Sequence, residues 1–439
     1  MRRALILVLM LGGIQLIVPL GTFGYGALAL LTFGFLILAA YTVGEIVAAA
    51  GVPKIVGYLL AGVIFGPSML NVVSAEGALR LTGVSQLAIA LIAFLAGAEL
   101  RWEEVRDNGR KLLKIMTAEM TVTFVLLIAV IFGMSMIFEI IPEPSFRRNA
   151  AFALLFAAIG VVHSPAVTMA LLSETGARGP VARTTLGVVL ISDVAVVLFF
   201  TAILFVAKIL VPSTSGEDTS VWVVFWEIGG ALLVGGVVGL GVAAYLRFVG
   251  RELMLFAVLI AFFGVELTKV LHVELLLTLL TAGFVSENIS PYGEKLRHAM
   301  ERSAAPVFVV FFALSGAAIG LREVGPLLPL VIPIAIVRMG GLWAGTALGA
   351  RWAGASEPER KYVWLGLVSQ VGVAIGLATI VADAYPVLGT QLRSLALALI
   401  AINQTIGPVM FRRALEKSGE LQPGKIAVDE TPQPEPSSA

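Results

Sequence analysis

Residues 157–174 read AAIGVVHSPAVTMALLSE. The run is apolar at both ends and carries His163, Ser164 and Pro165 at its centre. Proline has no amide hydrogen and pushes the residue before it out of helical conformation, so a helix that begins here is predicted to break in mid-run. At bilayer depth the freed backbone groups must be satisfied by protein or by a water-filled cavity, and such breaks mark ion sites near the midplane of transporters. A second run, GLVSQVGVAIGLATIV at 366–381, has Gly366, Gly372 and Gly376 around Ser369 and Gln370 but no proline. It is the other predicted break.

Composition fixes the solvent around these runs. Of 439 residues, 58% are hydrophobic and 13% charged, which leaves too little polar surface to cover a soluble globule. An all-α polytopic membrane protein is predicted. Absence of cysteine excludes disulfide scaffolds and thiolate metal sites, and three histidines, His163, His272 and His298, are too few for a histidine-built metal centre. A net charge of +1 gives no reason to expect nucleic acid as a partner.

Apolar segments long enough to span a hydrocarbon core of roughly 30 Å lie at about 4–20, 26–50, 53–70, 81–100, 112–138, 149–172 and 180–210. A second set lies at about 221–246, 251–269, 271–287, 304–320, 324–350, 361–383 and 388–412. That makes about 14 transmembrane helices, with both termini on one side. With the N-terminus inside, 22 of the Lys and Arg residues fall inside and 7 outside, the bias that cytoplasmic loops carry. Residues 1–25 form an extra N-terminal helix or signal-like segment, and its cleavage would leave 13. The exchanger-like transmembrane unit runs over 26–414, with core helices about 112–210 and 324–412, and the Pro-rich segment 415–439 is expected to be a disordered cytoplasmic tail.

Numbered along the chain, the breaks fall in the sixth and thirteenth segments, each the middle of three. Units of three that start seven helices apart insert with opposite orientation, which is the arithmetic of an inverted repeat with crossed, discontinuous helices. Two charges sit deep in these units. Asp193 interrupts TTLGVVLISDVAVVLFFTAILFVA at 184–207, and an intramembrane carboxylate marks a functional site by default. Arg338, near the middle of VGPLLPLVIPIAIVRMGGLWAGTALGA at 324–350, keeps its proton and so needs an acceptor. Asp193 is the first candidate for that acceptor, with Glu119 and Glu45 less deep and Glu266 and Glu274 nearer helix ends.

Five stretches carry a family likeness: GYLLAGVIFGPSML at 57–70, LAIALIAFLAGAEL at 87–100, the HSPAVTMALLSE break, the Ser192-Asp193 pair, and LTAGFVSENISPYGEKL at 280–296 followed by PVFVVFFALSGAAIGL at 306–321. Together they resemble the monovalent cation:proton antiporter-2 family, the bacterial sodium/proton exchangers and potassium efflux antiporters. The resemblance covers about 26–414. It implies a sodium/proton antiporter-like fold in which a six-helix core rocks against a dimerisation domain, in a homodimer in the bacterial inner membrane with its C-terminus cytoplasmic. No cofactor is implied, only transported H+ and Na+ or K+, with membrane lipid around the protein.

On this reading Asp193 binds either a proton or, transiently, Na+ or K+. Ser192, Ser164, His163 and Gln370 are the other candidate cation- or proton-binding residues, because each adjoins a break or the carboxylate, and Arg338 is the candidate ion-pair or gating residue. Asn403 and Gln404 in the last helix are candidate helix-to-helix contacts, and Glu99 opens a charged interfacial cluster. The family usually places Asp, Asn or Gln where this chain has Ser192, so the resemblance implies exchange at a single carboxylate, electroneutral. His163 stands where Thr or Ser is usual, and an imidazole can relay protons. A sodium-coupled symporter of an organic solute and a non-transporting sensor are the alternative readings. Covalent catalysis is not expected, since ALSG at 313–316 lacks the first glycine of a serine-protease signature and no histidine follows it. Nor is there a repeated filter sequence of the kind a channel carries.

Overall fold

The computed structural model describes residue 12 and residues 25–138, 140–141, 143–211 and 221–421. Apart from Gly12, the predicted first helix at 4–20 therefore lies outside the described residues, as does 422–439. All regular structure among the described residues is helical: α1 (Tyr25–Ala49), α2 (Lys54–Phe65), α3 (Ala75–Arg80), α4 (Thr82–Ala98), α5 (Trp102–Ile137), α6 (Phe146–Gly160), α7 (Pro165–Thr175), α8 (Pro180–Leu210) and α9 (Val221–Phe248). The chain continues through α10 (Leu253–Leu271), α11 (Leu275–Ile289), α12 (Gly293–Ala317), α13 (Leu321–Val324), a 3-10 turn, α14 (Leu328–Trp352), α15 (Glu357–Gly366), α16 (Val373–Ala384) and α17 (Pro386–Lys417).

From residue 26 onward, each expected span falls on one helix or on a pair of half-helices. Among the described residues, eight spans are long and apolar enough to cross a membrane by themselves, one of them the α6–α7 pair, and four further apolar helices are shorter. In α12 the two halves meet at 55°. Pro306 explains this bend, because it takes a hydrogen-bond donor from the turn before it and its ring crowds the carbonyl there.

Both predicted breaks are present. α6 stops at Gly160 and α7 starts at Pro165, with Ser164 as N-cap accepting from the Val167 amide. α15 stops at Gly366 and α16 starts at Val373, and Gly372 takes φ +40°, a backbone conformation that favours glycine. The inverted repeat is thus α5, α6/α7, α8 against α14, α15/α16, α17.

Two large apolar clusters take up most of the core, with a small third one where α9 and α11 meet Val194 and Val197 of α8. One is built largely from α1, α2, α4 and α9–α12, joined by α7. The other unites α5, α6 and α8 with α14–α17. In the second cluster α14 lies directly on α5, because Gly341, Gly345 and Gly349 recur every four residues along one face. A Cβ on them would lie 2.8, 2.6 and 2.7 Å from Cα of Thr123, Glu119 and Ile115 respectively, so only glycine lets the backbones come this close. Arg338 lies one turn before Gly341 on the same helix, with its charge within electrostatic reach of Glu119.

Outside the apolar runs, Glu359 ties three helices of this cluster together. It closes a capping box with Ser356 at the start of α15, pairs with Lys111 of α5 at 2.9 Å and accepts from Thr184 of α8 at 2.5 Å. Burial alone would push its carboxyl pKa up, but the hydrogen bonds from Ser356, Thr184 and Lys111 outweigh it and hold the pKa at about 2. At the same end of the bundle, α17 continues past its expected limit to Lys417, and Glu420 accepts from the Val181 and Ala182 amides at 2.7 and 2.8 Å. Gly179 supplies no side chain to cap α8. The Glu420 carboxylate does so instead.

Candidate functional site

The breaks cross, and side chains from one satisfy the backbone of the other. Gln370, in the second break, donates to the Ile159 and Gly160 carbonyls at 3.1 and 3.2 Å and accepts from Asn403 at 2.8 Å. His163, in the first break, places Nδ1 2.9 Å from the Leu367 carbonyl. Each interrupted helix ends in carbonyls that have lost their intrahelical donors. These ends carry partial negative charge and need positive or donor groups.

Arg338 supplies them. Its Nε donates to the Gly160 carbonyl at 2.6 Å, Nη1 to Val368 at 2.7 Å, and Nη2 to Val162 at 2.9 Å and Leu367 at 3.4 Å. The side chain is 0% exposed. Sequence reasoning paired Arg338 with Asp193; among the described residues the guanidinium instead serves the C-terminal ends of α6 and α15. Backbone carbonyls gathered by folding leave no trace in a sequence read as side chains, which is why this partner was missed. Glu119, 0% exposed, is the acid within electrostatic reach of Arg338. Its carboxylate accepts from Thr123 at 3.0 Å and sits 3.0 Å from His163 Nε2. His163 thus faces two acceptor groups, and one proton must lie between the imidazole and Glu119 whichever of them carries it.

Beyond the breaks lies a cavity of ≈ 360 Å³. His163, Ser164, Pro165 and Ala166 line one wall, Asp193, Val194 and Val197 of α8 a second, and Val371, Gly372 and Val373 a third. The cavity reaches between the two apolar clusters to the ends of α4, α9 and α11 that carry Gln86, Glu227 and Glu274. Asp193 is half-buried, and its Oδ1 is shielded from solvent and has no hydrogen-bond partner. The N-termini of α7 and α16 face this space, and their exposed amides favour negative charge. An unpaired acceptor on a cavity wall, with histidine the nearest basic residue lining it, is suited to a proton or a small cation.

Of the candidates named from sequence, Asp193, Ser164 and His163 come together on the cavity. Ser192 does not: its hydroxyl donates to the Val189 carbonyl of its own helix at 2.8 Å, and the residue is buried. Gln370 is turned away too, fully engaged with the crossing. Glu227 and Glu274 were missed as members of the site. The Glu274 amide donates to the Glu227 carbonyl at 3.3 Å, which sets the two acids side by side, and the Glu274 carboxylate caps α11 through the Leu277 amide. Their signal was modest but present, since each stands within two turns of the start of an apolar helix on the same expected face. Among the described residues no three acids or histidines are close enough to hold one metal ion. Asp193, Glu227 and Glu274 therefore do not form a single ligand shell.

Known proteins bear on this geometry in three ways. Over 339 residues the chain is 23% identical to the probable Na(+)/H(+) antiporter GerT of Bacillus cereus, covering 75% of this chain and 84% of that protein. The Na(+)/H(+)-K(+) antiporter GerN of the same organism is also 23% identical, over 342 residues, 75% of this chain and 81% of that one. The structure of the sodium proton antiporter MjNhaP1 from Methanocaldococcus jannaschii at pH 8 superposes with a TM-score of 0.67 at 16% identity, covering 89% of this chain and all of that one. That likeness speaks to the fold. The family described as "Sodium/hydrogen exchanger, transmembrane" matches residues 34–417, and with nearly the whole described chain inside that match, the protein belongs to the sodium/hydrogen exchanger family.

Proposed function

We propose that this protein is a secondary antiporter that exchanges Na+ or K+ for protons by alternating access, with both cargoes competing for Asp193. The observation that carries the reading is the unpartnered, shielded Oδ1 of Asp193 on the cavity wall beside two crossed, broken helices. A carboxylate can hold a proton or a dehydrated cation but not both, and either neutralises it. Movement of the loaded site is then far cheaper than movement of a bare charge through apolar surroundings. Obligatory exchange follows without covalent chemistry.

In this reading the inverted repeat, α5–α8 and α14–α17 over about 112–210 and 324–412, moves as the core. The cluster of α1–α4 and α9–α12 is the scaffold on which a homodimer forms in a bacterial inner membrane, with the C-terminus in the cytoplasm. Ser164 offers its hydroxyl oxygen to the bound cation, and His163 with Glu119 and Arg338 keeps the crossing rigid. The names of GerT and GerN support antiport of sodium, and in GerN of potassium, by relatives of similar length.

The test is reconstitution into proteoliposomes with a fluorescent reporter of an acid interior. Addition of Na+ or K+ is expected to dissipate the proton gradient with the parent protein and to have no effect with Asp193→Asn, which keeps the size and removes the charge. Dissipation by a correctly folded Asp193→Asn protein overturns the proposal. Uptake of an organic solute with Na+ and no proton movement assigns the protein to the symporter class instead.

A further inference from the structure

The cavity extends from the breaks toward Gln86 on α4. α2 crosses from Lys54 to Phe65, and the chain then enters α4 near Gln86, so Lys54 lies at the opposite end of the bundle. There the inverted repeat meets α2 through a polar contact of unusual form. The carboxylate of Glu174, in the last turn of α7, accepts from the Lys54 backbone amide at 3.0 Å through one oxygen and 3.2 Å through the other. The Ile55 amide is within its reach as well.

α2 needs such a partner. Its N-cap is Pro53, which has no side-chain acceptor, and the exposed amides of its first turn carry partial positive charge. The Lys54 ammonium group bonds to Glu45 of α1, and its charge and that of Arg412 also act on Glu174. A residue of the inverted repeat thus caps a helix that lies outside it. α7 is the half-helix whose other end, at Ser164 and Pro165, lines the cavity beside Asp193. Nine residues separate Pro165 from Glu174, about 14 Å at the helical rise, so a rigid half-helix joins the cavity wall to this cap.

We propose that Glu174 is a latch that keeps the ion site closed toward the Lys54 end while the cavity is open toward Gln86. The latch must release whenever the core moves to present Asp193 to the opposite side. Glu174 is a positioning residue: it acts through α7 and touches no cargo. The inference rests on the alternating-access reading above, but its readout is sidedness rather than transport.

The chain has no cysteine, so Ala166→Cys, on the cavity wall, gives a single reporter thiol. In oriented vesicles its rate of modification by a membrane-impermeant maleimide is measured from each face, in the Glu174 parent and in Glu174→Ala, Glu174→Gln and Glu174→Asp. Glu174→Ala is expected to shift the ratio of the two rates toward the Lys54 face by roughly tenfold, the scale of losing a charge-assisted bond in one of two states. Glu174→Gln, which keeps an acceptor oxygen, shifts it less, and Glu174→Asp restores it.

Glu420→Ala is the control. It removes another carboxylate cap, on α8, whose partner α17 lies in the same cluster, so the ratio should stay at the parent value. An unchanged ratio in Glu174→Ala, or an equal shift in Glu420→Ala, overturns the latch. If Glu174→Ala does not fold, Glu174→Gln decides by the same ratio. A parent that exchanges no cation but shows the shift would sink the antiport reading and leave the latch standing.

Discussion

At the scale of single residues, charge placement separates the roles of the buried groups. Arg338 is spent on four carbonyl bonds, and removing it would leave the Val162 and Val368 carbonyls without a side-chain donor, a loss of about 2–6 kcal/mol at roughly 1–3 kcal/mol for each buried group left unsatisfied. Asp193 is left with an open acceptor, and Glu227 and Glu274 add negative potential elsewhere on the cavity lining without joining it in one ligand shell. Glu274→Gln is therefore expected to raise the cation concentration for half-maximal exchange roughly fivefold, or about 1 kcal/mol for one partly screened charge, with the maximal rate unchanged. Exchange assays at low and high ionic strength check this, since screening should shrink the difference; a fall in maximal rate at unchanged half-saturation counts against it. Asp193 and the His163-Ser164-Pro165 break were legible in the sequence because a charge and a proline stand out in apolar runs. Glu274 was seen only as an acid near a helix end, because nothing local says that α11 will face α8 across a cavity.

Helices and half-helices are held in place here by caps borrowed from elsewhere in the chain. Glu420 caps α8, Glu174 caps α2, and Arg338 satisfies α6 and α15 together, each across more than twenty residues of sequence. The inverted repeat could be counted from the sequence, because spans and breaks are properties of local composition. These caps could not, since a glutamate in a loop looks the same whether or not a helix end lies beside it. Glu359 allows the tying of elements to be measured. Its folded-state pKa of about 2 lies below the ordinary 4.5, so the folded form binds the proton more weakly than the unfolded one. Its contribution is complete above 4.5 and disappears as the pH falls through about 2. Glu359→Gln should lower stability at neutral pH by about 2 kcal/mol, the scale of hydrogen bonds to a charged group. Thermal unfolding in detergent followed by size-exclusion chromatography tests this: the gap between parent and variant should stay constant above 4.5 and close on acidification toward about 2. A gap that widens on acidification would contradict the assignment.

The whole molecule sets the charge balance of a transport cycle through which groups travel with the core. Glu227 and Glu274 sit on α9 and at the start of α11, in the cluster read as scaffold, so they stay behind when the core moves. Glu119, His163 and Arg338 travel with it, but each is closed into hydrogen bonds with protein groups, and the His163–Glu119 pair keeps its proton between two acceptors. Among the described residues, Asp193 is the group that the proposed cycle leaves to change cargo. On the proposed reading each half-cycle carries one positive charge on one carboxylate, a proton in one direction and a monovalent cation in the other, and the full cycle is expected to move no net charge. Proteoliposomes carrying an imposed potential test this, with the potential set by an ion that the protein does not exchange. A second proton per cation would couple exchange to voltage by about 2.3 kcal/mol per charge at 100 mV, which is a roughly 50-fold change in the cation gradient held at equilibrium. One-for-one exchange predicts the same gradient with and without the potential. A voltage-dependent gradient in the parent that becomes voltage-independent in Glu274→Gln would make Glu274 the second proton carrier and overturn the single-carboxylate cycle.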